Sequence, residues 1–91
     1  MKLKAFVWYD SKTESWGVPM YQPTRGDASR LFTQIVTDNR EGNNIAKYPS
    51  DFTFFEVGEY DVSSGEHSLY AAKVNLGLAI EYKPKEDFVT K

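Results

Sequence analysis

The chain has no cysteine among its 91 residues. That excludes disulfide staples and a thiolate nucleophile, and it takes from the common zinc sites their best ligand. A cysteine-free chain suits a reducing cytoplasm. Histidine is nearly absent too. His67 stands alone at an expected strand start, where a solvated hairpin-end residue is the plain reading. The six glycines are scattered and form no phosphate-cradling motif. No apolar run approaches the roughly 18 residues of a membrane span. Met1-Lys2-Leu3-Lys4 leads directly into an alternating segment, so neither a signal peptide nor a membrane anchor is expected. Net positive charge is lacking as well. A formal charge of −2 excludes nucleic-acid binding by bulk charge and leaves only a local patch.

Aromatic residues make up 15% of the chain, with 2 Trp, 6 Tyr and 6 Phe. A chain of this length buries only roughly 60–65% of its unfolded surface. Rings of about 150–250 Å² each are therefore an economical way to fill a small core. With 41% hydrophobic and 26% charged residues, the composition is that of a folded domain. One α+β domain is expected over residues 1–83, followed by a flexible tail over 84–91. Charge divides along the chain: residues 1–47 carry 7 Lys+Arg against 5 Asp+Glu, and residues 48–91 carry 4 against 8. A basic face, if present, is built mainly from the first half.

Residues 2–10 alternate with period two, a strand signature. Leu3, Ala5, Val7 and Tyr9 form one row, and Lys2, Lys4, Phe6 and Trp8 the other. After the polar turn of residues 10–15, Trp16 to Tyr21 reads as a second strand, held to an edge or a bulge by Pro19. Ala28, Leu31, Phe32, Ile35 and Val36 then repeat at helical spacing. Thr24 is the expected N-cap and Asp27 the capping-box acid; the turn formers of residues 39–44 end the helix near Asp38. Beyond a link through Ile45, Tyr48 and Pro49, Phe52 to Tyr60 reads as a strand. A Gly65-containing hairpin loop leads to a partner over His67 to Lys73. Val74, Leu76, Leu78, Ile80 and Tyr82 then alternate as a further half-buried strand. The order β-β-α-β-β-β predicts an antiparallel sheet of about five strands with one amphipathic helix on one face. The uncovered face is where function is expected.

Catalytic material is sparse. Glu56, Glu59 and Asp61 lie close in sequence, but simple alternation sets Glu59 opposite to Glu56, so a paired acid/base or oxygen-ligand site is not favoured. No enzymatic activity and no cofactor are expected. Nucleic-acid binding has better material, because single-strand binders combine cations with rings on which bases stack. With Leu3, Ala5 and Val7 turned to the helix, Lys2, Lys4, Phe6 and Trp8 would line the free face, with Phe54 and Tyr60 extending the platform. Tyr21 with Arg25, and Lys47 with Tyr48, add cations and rings in loops. A dimer interface, or a second hydrophobic layer, would bury the same rings. Arg30 reads as a solvated helix charge. The helix has no basic cluster to read a duplex.

Several blocks resemble the small nonstructural protein of gokushoviruses, single-stranded DNA phages of the Microviridae. They are Tyr9-Asp10-Ser11-Lys12, Gly26-Asp27-Ala28-Ser29-Arg30-Leu31-Phe32, the run of residues 48–61 from Tyr48-Pro49-Ser50 to Glu59-Tyr60-Asp61, and Leu76-Gly77-Leu78-Ala79-Ile80-Glu81-Tyr82. They occur in the same order over about residues 1–83. The resemblance implies a non-enzymatic protein made in the cytoplasm of the infected bacterium and absent from the virion. It also implies DNA binding, with a role in the switch to single-stranded genome synthesis and packaging. It marks no catalytic residue.

The expected function is thus single-stranded DNA binding, with Lys2, Lys4, Phe6, Trp8, Tyr21, Arg25 and Phe54 as contacts. A homodimer or higher homo-oligomer is expected, since pairing would double a weak patch. The rival is a homo-oligomeric protein–protein adaptor acting on the phage replication initiator, the procapsid or a host factor. A third reading, an acidic mimic of DNA drawing on residues 48–91, has too few acids to array.

Overall fold

A computed structural model describes residues 1–84; the tail expected over 84–91 lies, beyond Pro84, outside the described residues. Strand β1 spans Lys2–Asp10, β2 Ser15–Trp16 and β3 Met20–Gln22. Helix α1 spans Arg25–Thr37, and a single-turn helix, α2, spans Asn44–Lys47. Strand β4 covers Phe52–Asp61 and β5 covers Glu66–Leu78. Short 3-10 turns occupy Pro49–Asp51 and Ala79–Tyr82.

All strand pairs are antiparallel, in the order β2-β1-β4-β5, with β3 also paired to β1. The α+β class and the five-stranded sheet are as expected, but the element order is β-β-β-α-β-β. The segment read as one strand from Trp16 to Tyr21 is two fragments, with Pro19 between them where no ladder donor is needed. The two strands expected over 67–82 are one. Gly77, at φ 109°, shifts the register near its end, and the chain then turns at Ala79. That turn buries Ala79 and brings the Tyr82 hydroxyl to donate to the Leu76 carbonyl at 2.7 Å.

Helix α1 begins as its sequence requires. The Thr24 hydroxyl oxygen accepts from the Asp27 amide at 3.0 Å and donates to the Asp27 carboxylate at 2.8 Å. Its apolar stripe buries Ala28, Phe32 and Val36. At the far end, the Asn43 carboxamide donates to the Ile35 and Asp38 carbonyls, both at 2.8 Å, closing the helix end that sequence marked only as a turn.

The stripe meets the row containing Phe6 and Trp8, which reverses the expected orientation of β1. Phe32 lies parallel to Phe54 with centroids 3.8 Å apart, Phe6 stacks on Phe54 at 5.7 Å, and Tyr82 meets Phe32 edge-on at 4.9 Å. Each row of β1 carries apolar residues, Leu3, Ala5 and Val7 in one and Phe6 and Trp8 in the other, so alternation defines two rows without saying which meets the helix. The larger rings decide it, because they fill the space between helix and sheet.

Candidate nucleic-acid interface on the open face of the sheet

The seven residues expected to contact DNA do not share an exposed face. Phe6 and Phe54 are fully buried under α1, so neither ring is open to a base. Trp8 is half-buried on the same side, packed toward Phe32. Lys2, Lys4 and Arg25 are on this side too, engaged by acids. Arg25 Nε donates to Glu56 Oε1 at 2.7 Å, and Lys4 Nζ lies 3.6 Å from the other Glu56 oxygen. Lys4 and Lys2 each stand 3.9 Å from Glu59. Tyr21 alone is on the opposite face.

Glu56 is the centre of this cluster, with its side chain 1% exposed. Burial opposes its charged form. The Tyr70 hydroxyl donating at 2.6 Å, the Arg25 hydrogen bond, and the charges of Arg25 and Lys4 outweigh burial and hold the carboxyl below its ordinary value. The hydrogen bond to that carboxylate, with burial second, pushes the Tyr70 phenol up to about 12. These cations neutralise a buried acid, so they are a structural lock between α1 and the sheet and a poor reserve for phosphates.

A β-bulge explains why alternation misled. Between the pairs Ala5–Gly58 and Phe6–Glu56, β4 carries one extra residue, Val57. Glu56 and Glu59 therefore share the helix side, around Lys4, instead of facing apart. Phe54 and Tyr60, six residues apart, land on opposite faces: Phe54 pairs with Trp8 and Tyr60 with Leu3.

The open face holds two ring clusters. Trp16 lies between Tyr9 and Phe55, with centroids 4.8 and 5.3 Å away, and Lys73 Nζ sits 5.1 Å over the Trp16 ring. Toward the other end, Tyr21, Tyr60 and His67 group at 4.6–5.8 Å, with the Tyr21 hydroxyl 3.0 Å from His67 Nε2. A shallow trough of about 400 Å³ runs beside the first cluster, lined by Val7, Trp16, Pro19, Val57, Leu69 and Lys73 among others.

Register also segregates charge. The strands carry five acids: Asp10, Glu56, Glu59, Asp61 and Glu66. Each is paired across the ladder with residues of the helix-side row, such as Asp10 with Phe52, and Asp61 with Lys2 and Glu66. The open face thus receives no strand acid, although the chain is net negative. Sequence reading missed Tyr9 because it turned the row of Leu3, Ala5 and Val7 to the helix, and Phe55 because it placed the neighbouring Phe54 on the free face; it assigned Trp16 and Lys73 to no face. The signal for Tyr9 and Trp16 was present in the alternation of Val7 with Tyr9 and in the hairpin facing Trp16 to Tyr9.

Among the described residues, no three or more His, Asp or Glu side chains group to hold a metal ion, and no helix is long and apolar enough to cross a membrane.

The fold therefore presents a sheet with one face packed against the helix and one aromatic face that the helix does not cover. Residues 3–82 match the family described as Phage ORF5 protein. The chain belongs to that family, a group of small phage proteins of the gokushovirus kind. Protein ORF5 of Chlamydia phage 1 is 34% identical to it over 59 residues, which is 63% of this chain and 62% of that protein. The chain thus aligns with less than two thirds of that relative's length. No solved structure matches it.

Proposed function

We propose that this phage protein is a non-enzymatic binder of single-stranded DNA, acting in the cytoplasm of the infected host in genome synthesis or packaging, and that it binds through the open face of its sheet. The observation that carries this reading is the segregation of charge by register: five rings, His67 and Lys73 occupy a face to which no strand contributes an acid. Bases stack on exposed rings irrespective of sequence, at about 1–3 kcal/mol per base. One lysine on that face keeps affinity modest.

The test is anisotropy of a labelled single-stranded oligonucleotide at low and at physiological salt. Trp16→Ala weakens binding by about 1–3 kcal/mol. Lys73→Ala lowers the slope of log affinity against log salt by roughly 0.7, the contribution of one phosphate contact on a single strand. Absence of binding at low salt refutes the reading.

A second reading is favoured by one observation. Leu69 and Val18 are 73% and 78% exposed, with Leu69 lining the trough. Such aliphatic side chains suit the adaptor function, in which a protein surface or a second copy covers the same face. Sedimentation equilibrium that returns a tight dimer with no DNA affinity selects it.

A further inference from the structure

We infer that the Lys73 ammonium covers the Trp16 ring in the free protein, and that a bound single strand exchanges it for a base, the ammonium passing to the adjoining phosphate. The inference rests on the single-strand reading of the open face. It adds how that face is regulated and which chemical unit it selects, a base joined to a phosphate.

Three observations carry it. Trp16 already has neighbours on its ring: Tyr9 and Phe55 at 4.8 and 5.3 Å, and Lys73 Nζ at 5.1 Å from the centroid. Tyr9 and Phe55 are half-buried and Lys73 is exposed, so the lysine is the neighbour that yields to a base. Second, the backbone beneath Lys73 has slack. Leu69 pairs with Gly58 and Val74 with Glu56, so Tyr70, Ala71, Ala72 and Lys73 stand opposite Val57 alone. The Tyr70 hydroxyl is anchored on Glu56 at 2.6 Å and Val74 is in the ladder. Between these fixed points Ala71, Ala72 and Lys73, all exposed, form a strap on the terminal strand of the sheet. Third, Lys73 and Trp16 line the same trough, and among the described residues the Lys73 ammonium is in no salt bridge. It is the cation at hand for a phosphate beside a base seated there.

The exchange is favourable only when both parts of a nucleotide are present. A cation–π contact at an exposed site changes an equilibrium constant roughly two- to fivefold, and a base that displaces the ammonium forfeits it. At low salt one phosphate contact more than recovers that loss. A nucleoside brings no phosphate, and an abasic strand brings no base.

Anisotropy of labelled oligo-dT, titrated over a range of salt with the unchanged chain and with Lys73→Ala, reads the exchange. Lys73→Ala is expected to bind more weakly at low salt, where the phosphate contact is missing. On extrapolation to 1 M salt it binds roughly two- to fivefold more tightly, because the ring is already uncovered. The two lines of log affinity against log salt therefore cross at about 0.1–0.3 M. An abasic oligomer of the same length gives no crossing. In the free protein, Lys73→Ala raises acrylamide quenching of Trp16, assigned by difference from the Trp16→Phe variant. Lines that never cross with oligo-dT, an equal crossing with the abasic oligomer, or unchanged acrylamide quenching overturns the exchange and leaves the open-face reading standing. No binding of any oligomer at low salt overturns the open-face reading and the exchange together.

Discussion

Arg25, the first residue of α1, donates from Nε to a carboxylate oxygen of Glu56 in the middle of β4, 2.7 Å away. This contact ties the start of the helix to the centre of the sheet and gives the fold an acid-sensitive joint. The folded-state value of the Glu56 carboxyl is lowered from the ordinary 4.5, because hydrogen bonds and neighbouring cations outweigh its burial. Its stabilisation is therefore complete above about pH 4.5 and is lost as pH falls through the lower folded-state value. Urea denaturation midpoints are expected to drop on that acid side. Glu56→Gln, which does not titrate, flattens the drop; an unchanged acid limb would mean that other carboxylates carry it.

Tyr70 sets a second limit at high pH. Its phenol is pushed up to about 12 from 10.0 because it donates to Glu56. The unfolded chain loses this proton first, so the associated stability is intact below about pH 10 and is lost as pH rises toward 12. Tyr70→Phe removes that part of the alkaline loss and costs about 1–3 kcal/mol at neutral pH, where Glu56 loses a donor. Chemical denaturation of both proteins across the alkaline range measures each effect.

Phe54 and Phe55 are neighbours with opposite assignments. Phe54 is fully buried against Phe32 and Phe6, so Phe54→Ala is expected to cost about 3–5 kcal/mol of stability. Phe55 is half-buried on the open face beside Trp16. Phe55→Ala is expected to lose less stability and to weaken single-strand binding by about 1–3 kcal/mol. Thermal melts and oligonucleotide titrations of the two variants separate core from interface.

Gly17 is constrained by space. Its backbone amide donates to the Trp8 carbonyl at 2.9 Å, and a methyl at residue 17 would collide with the Trp8 indole. Gly17→Ala is expected to displace that ring, costing about 1–3 kcal/mol as an overpacked site and shifting Trp8 emission toward the solvent-exposed wavelength. Denaturation and fluorescence in a Trp16→Phe background test both.

Much of the fold was legible locally. Helical spacing and the Thr24–Asp27 pair place α1 to within a residue of its observed ends, because capping and amphipathic periodicity act over four residues or fewer. The Gly65 hairpin was equally readable, since its φ of 75° is one that glycine adopts without strain. The site was less legible. Lys4 and Arg25 drew attention as cations, yet their role depends on Glu56, which lies 31 residues from Arg25 along the chain.

Sequence alone determined the class of protein: a cysteine-free, aromatic-rich α+β domain whose ordered blocks carry its phage family. Only the tertiary structure decided which side of the sheet is free. Alternation assigns residues to two rows but gives neither row a direction, and one extra residue at Val57 exchanges the rows partway along β4. The larger rings then drew α1 onto the Phe6–Phe54 side, where the most apolar surface is buried. Tyr9, Trp16, Phe55 and Lys73 were left on the face that the helix does not cover.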